Sequence, residues 1–247
     1  MASLRGMVPV MKRELGGYFA TPVAYVFIVI FLVVTGVFTF QLGGFFERGQ
    51  SDLRPFFDFL PWLYLFLIPA VAMRLWAEEH KSGTIELLMT LPISRGGAVL
   101  GKFLAAWIFC GVAIALTFPL WITVNYLGSP DNGAIFFGYI GSLLMAGAFL
   151  AIGACVSAST KSQVIAFIIS VVVCFLFLLV GYAPVTEFLR TLSVPSAVIQ
   201  TLAGFSFLTR FDSIAKGVID LRDLVFFGSL IGVCLAMNLV ILEGKKQ

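Results

Sequence analysis

The run Gly133-Ala-Ile-Phe-Phe-Gly-Tyr-Ile-Gly-Ser-Leu-Leu-Met-Ala-Gly-Ala-Phe-Leu-Ala-Ile-Gly-Ala-Cys-Val-Ser-Ala-Ser-Thr160 contains no Asp, Glu, Lys, Arg or His. An apolar helix of about 20 residues, rising about 1.5 Å per residue, matches a hydrocarbon core roughly 30 Å thick. This run is therefore read as a membrane span. Five more stretches are equally free of ionisable groups: Val23 to Phe46, Phe59 to Met73, Phe103 to Gly128, Ser162 to Thr186 and Leu224 to Leu242. Together the six fill more than half of the 247 residues. Ion-driven carriers usually keep an acid, histidine or arginine at mid-membrane depth. None is present in these spans, so the energy source is expected to lie outside the chain.

The expected fold class is an all-α membrane protein, one six-span domain over residues 1–247 with spans near 22–45, 58–75, 99–126, 134–158, 163–183 and 223–242. Hydrophobic residues make up 60% and charged residues 12%, which leaves no room for a separate soluble catalytic domain. Ten of the 16 basic residues fall before the first span, in the second-to-third and fourth-to-fifth connections, or after the last span. The positive-inside rule then predicts that both termini are cytoplasmic. The first span is long and lacks a small-x-small cleavage pattern, so a retained helix in the cytoplasmic (inner) membrane is expected. Cys110, Cys155, Cys174 and Cys234 all sit inside spans at wide spacing, which suits apolar packing better than metal binding or a disulfide framework.

The connections carry more information. Residues Pro9 to Phe19 place Val10, Met11, Leu15, Tyr18 and Phe19 on one helical face and Lys12, Arg13 and Glu14 on another, the pattern of an interfacial helix, and Pro22 separates it from the first span. After the second span comes Arg74-Leu-Trp-Ala-Glu78-Glu79-His80-Lys81-Ser-Gly83-Thr84-Ile85-Glu86-Leu87-Leu88-Met89-Thr90-Leu91-Pro92. A turn at Ser82-Gly83 followed by a short amphipathic helix from Thr84, stopped by Pro92, is expected in this cytoplasmic loop. A bare turn needs far fewer residues, so the loop reads as a knob for a cytoplasmic partner. On the far side, Phe207, Leu208, Phe211, Ile214, Ala215 and Val218 recur at helical spacing while Arg210, Asp212 and Lys216 are expected to face away, and Gly217 is expected within the same helix. An amphipathic helix on or re-entering the external surface follows, with Asp220 or Asp223 capping the sixth span. The aromatic segment Phe56 to Trp62 fits anchoring to membrane lipid.

Interfacial helix, six spans, the Glu-Glu-x-x-x-Gly-Thr-x-Glu-Leu-Leu-x-x-x-Pro-x-Ser loop and Gly101-Lys102 opening the third span resemble the type-2 ABC exporter permeases. The segment Phe205 to Leu224 is similar to the gliding-motility-type branch of that family. The resemblance implies a permease subunit that couples ATP hydrolysis in a separate ATPase subunit to export. It implies a homodimer, usually joined by the first and fifth spans, with an ATPase under each copy at a coupling loop. Here that loop comprises Glu78, Glu79, Gly83, Thr84, Ile85, Glu86, Leu87, Leu88 and Pro92. ATP and Mg would be bound by the ATPase. An auxiliary membrane subunit with an extracytoplasmic domain is also implied, and no nucleic acid. The alternative is a mechanotransmitting scaffold that relays ATPase motion outward and moves no substrate.

Gly96 to Lys102 satisfies GxxxxGK, but Phe103 stands where a phosphate loop needs Ser or Thr for Mg²⁺, and the segment leads into a span. The only histidine, His80, is expected to be a solvated loop residue, too little for a zinc site or an intramembrane serine protease. No catalytic site is therefore expected in the chain. In the fourth span, Gly147 and Ala151, Gly153 and Ser157, and Ala154 and Ala158 are small residues at four-residue spacing, read as contacts within one subunit.

Overall fold

The structure is a computed structural model and describes residues 6–49, 51–85, 93–192, 194–218 and 220–244. Every regular element among them is helical, as the charge-free runs require. In chain order these are α1 (Met7–Ala20), α2 (Pro22–Leu42, whose last turn, Phe38–Leu42, is π-helical), α3 (Arg54–Ala72), α4 (Arg74–Ser82), α5 (Arg95–Ala115) and α6 (Phe118–Leu127). They continue with α7 (Asn132–Ser159), α8 (Gln163–Leu179), α9 (Ala183–Thr191), α10 (Ser196–Ala203), α11 (Phe207–Ala215) and α12 (Leu221–Gly244). Five spans are long and apolar enough to cross a membrane: Pro22–Leu42, Arg54–Ser82, Arg95–Leu127, Asn132–Ser159 and Leu221–Gly244. The bent pair α8 and α9, which turn by 66° between them, supplies a sixth crossing if taken together. We call the end of the bundle that holds α1 and α4 proximal, and the other end distal.

Helix α7 is the hub, packing against α3, α4, α5, α8, α11 and α12. Its start is set by Asp131, whose carboxylate accepts from the backbone N–H of Gly133 and Ala134 at 2.9 and 3.1 Å. Glycines along its length act as notches for neighbours. Gly138 receives the Phe57 ring of α3, Gly141 receives Ile214 and Phe211 of α11, Gly147 receives Trp107 of α5 and Ile231 of α12, and Gly153 lies against Ala72 of α3. The small residues thus serve contacts inside one subunit, in the manner of close-packed membrane helices.

Several local expectations need correction. The second span does not stop near residue 75: the helix resumes at Arg74 after a break at Met73 and runs to Ser82. Leu75, Trp76 and Ala77 are buried on one side, so tertiary packing holds helical a segment whose charges suggested a loop. His80 lies on this helix, partly buried rather than solvated. Gly83, at φ 72°, ends α4 in the left-handed turn that glycine tolerates best.

Ser157, read only as a small residue, does polar work at the break. Its Oγ accepts from the backbone N–H of Trp76 and Ala77 at 3.1 and 3.0 Å and donates to the Met73 carbonyl at 2.9 Å. The first N–H groups of a helix have no partner of their own, and here a serine on a neighbouring helix supplies it. Ser157→Ala should cost about 2–3 kcal/mol, because it strands buried backbone groups. Equilibrium unfolding in mixed micelles checks this, and a loss under about 0.5 kcal/mol, the net worth of one weak hydrogen bond, contradicts it.

The region between α8 and α12 holds three short helices instead of one. Only α11 is sunk into the bundle, with Phe207, Phe211 and Ile214 buried and Leu208 partly so. Phe207 sits among Phe149, Phe177 and Phe227, with ring centroids 4.9, 5.1 and 5.9 Å away. Gly217, at φ 82°, lies beyond the helix in a turn against the Ala134 backbone, and Val218 after it is exposed. Arg210 does not face away. Its Nε donates to the Gly204 carbonyl at 2.9 Å, and its Nη1 pairs with Asp223 Oδ1 at 2.8 Å. Asp220 holds the start of α12, accepting from the Arg222 N–H at 2.9 Å.

Candidate functional site

A charge junction at the proximal end joins three elements. Lys102 lies two turns into α5, where Ser94 sets the helix start by accepting from the Gly97 N–H at 3.0 Å. Its side chain is 4% exposed. The Nζ lies 2.8 Å from Glu79 Oε1 on α4, 3.4 Å from Glu14 Oε1 on α1, and 5.3 Å from the centre of the Trp76 ring. Arg13 Nη2 closes the group, 2.7 Å from Glu14 Oε1 and 3.9 Å from Glu79 Oε1. The buried ammonium thus has two partly buried acids around it, as a charge taken out of water requires, and the half-exposed Arg13 closes the group from the solvent side.

The neighbouring residues explain why α1 can reach Lys102. Gly101 carries no side chain, so the Met7 carbonyl and Val10 of α1 lie directly against α5 there. Further along, Tyr18 stacks on Phe109 at 5.1 Å and Phe19 meets the same ring edge-on at 5.8 Å. Helix α1 therefore runs lengthwise along α5. Glu14, expected on the polar face with Lys12 and Arg13, is turned inward instead. Burial by itself would raise its carboxyl, but Lys102 and then Arg13 outweigh that and hold it below the ordinary glutamate value.

Of the residues expected in the coupling loop, Glu78 is exposed on α4, while Glu79 is committed to Lys102. Gly83 and Thr84 are exposed, Ser82 and Thr84 share a hydroxyl hydrogen bond of 2.8 Å, and Ile85 packs partly buried against the core. Glu86, Leu87, Leu88 and Pro92 lie outside the described residues. Where the chain is described again, the Ile93 side chain rests on Gly6 at the head of α1. Described residues on either side of this stretch lie beside α1: Glu79, through the junction, before it, and Ile93 after it.

Sequence reading placed Lys102 in the GxxxxGK coincidence and at the opening of the third span, without a partner. In the structure that stretch is continuous helix and its lysine is held by carboxylates. One signal was available: a lone lysine inside an otherwise apolar helix demands an acid partner. Among the described residues, no three His, Cys, Asp or Glu side chains are grouped to hold a metal ion.

Apolar crossing helices packed around a small-residue hub, with one helix lying lengthwise at the proximal end, define a multi-pass helical membrane protein. Residues 58–241 match the model of the family described as ABC-2 family transporter protein, and the chain belongs to that family. It is 31% identical over 116 residues to Heme exporter protein B of Rhodobacter capsulatus, covering 47% of this chain and 49% of that one. To Heme exporter protein B of Paracoccus denitrificans it is 29% identical over 121 residues, 49% and 51% of the two chains. To the Probable ABC transporter permease protein NosY of Stutzerimonas stutzeri it is 31% identical over 145 residues, 54% and 52%. The chain spans about half the length of the curated relatives it matches. It is a multi-pass membrane protein of the ABC transporter permease class.

Proposed function

We propose that the chain is the permease subunit of an ATP-driven exporter-like complex in the cytoplasmic membrane, with its proximal end in the cytoplasm. The junction on Lys102 carries this reading, since it ties the α4 stem of the segment around Thr84 to both α1 and α5. An ATPase bound there, one per permease copy, would move all three helices together when its nucleotide sites close. Glu78 is the exposed acid on this stem and suits an ATPase arginine. Glu79, already paired, acts through Lys102.

Two copies of the chain complete the pathway. Helix α7 is buried along most of its length, so the middle of one subunit is closed, and passage would run between subunits. The exposed apolar faces of α2 and α8, including Val26, Val29, Val33, Ile165, Ile168 and Val172, suit such a seam. Heme, named in two of the relatives, is the first compound to assay. A force relay to an auxiliary extracytoplasmic subunit, which moves no substrate itself, is the second reading. A closed, apolar-packed seam between the two copies would favour it, and a continuous cavity there would favour transport.

The test is copurification of an ATPase, encoded with the chain and co-expressed, through a tag on the permease. Wild type is compared with Glu78→Arg and Glu86→Arg. Retention by wild type and loss by at least one variant is expected. An ATPase that never copurifies, or that binds all three equally, overturns the assignment.

A further inference from the structure

At the distal end, an apolar groove and a charged cleft adjoin on one helix. The groove, about 540 Å³, lies between α2 and α3 and is lined by Val34, Phe38, Phe59, Trp62, Leu63, Phe66 and Leu67. The cleft, about 220 Å³, is lined by Arg48, Arg54, Phe57, Asp58, Asp212, Ala215 and Lys216. Arg54, Asp58, Trp62 and Phe66 follow one another at four-residue spacing on α3, so a single helical strip runs from the cleft into the groove. Trp62 also meets Tyr182, at the distal end of α8, edge-on at 5.6 Å. Paired aromatics of this kind mark the membrane–water boundary.

Only some of the charges in the cleft satisfy one another. Lys216 is paired with Asp212, whereas Arg48, Arg54 and Asp58 form no ion pair among the described residues. Two guanidinium groups and one carboxylate are therefore available at the mouth of an open apolar groove.

We propose that groove and cleft form one site for a zwitterionic aminophospholipid of the distal leaflet. An acyl chain lies along Phe59, Trp62 and Phe66, the phosphate sits on Arg48 and Arg54, and the primary ammonium donates to Asp58. An anionic headgroup without an amine leaves Asp58 facing a like charge, and a choline headgroup has no N–H to donate. The site stands apart from the ATPase reading, because it rests only on residues of the distal end.

The full chain is reconstituted in vesicles of mixed phosphatidylethanolamine, phosphatidylglycerol and phosphatidylcholine, one of them brominated on its acyl chains in each sample. Quenching at Trp62 is taken as the difference between wild type and Trp62→Phe. Phosphatidylethanolamine should be favoured about threefold over phosphatidylcholine, the scale of a partly exposed charge pair. Asp58→Asn should abolish that preference, and Arg48→Gln with Arg54→Gln should weaken quenching by brominated phosphatidylethanolamine. Equal quenching by the two lipids, a preference for phosphatidylglycerol, or a preference that survives Asp58→Asn overturns the assignment. So does a Trp62 that no brominated lipid reaches, the result expected if a second copy of the chain covers the groove.

Discussion

Lys102→Met should destabilise the protein by about 3 kcal/mol, measured by equilibrium unfolding in mixed micelles. The methionine fills nearly the same volume, so packing against Trp76 survives and the loss is electrostatic. Breaking a buried pair by removing one partner leaves the other charge stranded, at a cost of roughly 3–5 kcal/mol. The lower figure is apt here because Glu79 and Glu14 retain 17% and 22% side-chain exposure and Arg13 stays beside them. Adding Glu79→Gln to Lys102→Met should restore about half of the loss, whereas two independent sites would simply add. Acid should act on the same cluster. The folded-state value of Glu14 lies below the ordinary 4.5, so its contribution is complete above 4.5 and disappears as pH falls through the folded value. Without Lys102, the fall in stability with acid should be shallower.

Arg210→Ala should cost about 3 kcal/mol at the other end of the bundle. Asp223 is 2% exposed, and its second oxygen, Oδ2, has no hydrogen-bond partner among the described residues. The Arg210 guanidinium compensates that carboxylate and also lies 5.7 Å from the centre of the Phe226 ring, so its removal strands a buried anion and opens an apolar contact. Arg210→Ala combined with Asp223→Asn should recover most of the loss, because the stranded group is then neutral. Unfolding of the single and double variants decides the matter: equal stability of the two would show that charge is not what holds α11 to α12.

The crossing helices were legible because lipid imposes a rule on composition, and runs such as Val23 to Phe46 obey it without exception. The helical repeat of Phe207, Phe211 and Ile214 was legible too, but it read as a helix on or re-entering the outer surface, whereas α11 is sunk against α7. The pairings were not legible. Glu14, Glu79 and Lys102 sit on three different helices, as do Arg210 and Asp223 on two, and local periodicity cannot show which charges will meet. Charged residues in α4 read as loop because their sequence is polar, while the packing of Trp76 and Ala77 against α7 decided otherwise. Ser157 showed only its small size, although its hydroxyl is what joins α7 to the start of α4.

That serine also divides the second span into two unequal arms. Its three bonds, to Met73, Trp76 and Ala77, clasp the rod made by α3 and α4 much nearer to one tip than the other. At about 1.5 Å per residue, the short arm to Gly83 measures roughly 10 Å and the long arm to Arg54 roughly 30 Å. A push at the short tip would load Ser157 and α7 first, because beyond the break α3 is itself seated in α7, with Ala72 on Gly153 and Phe57 on Gly138.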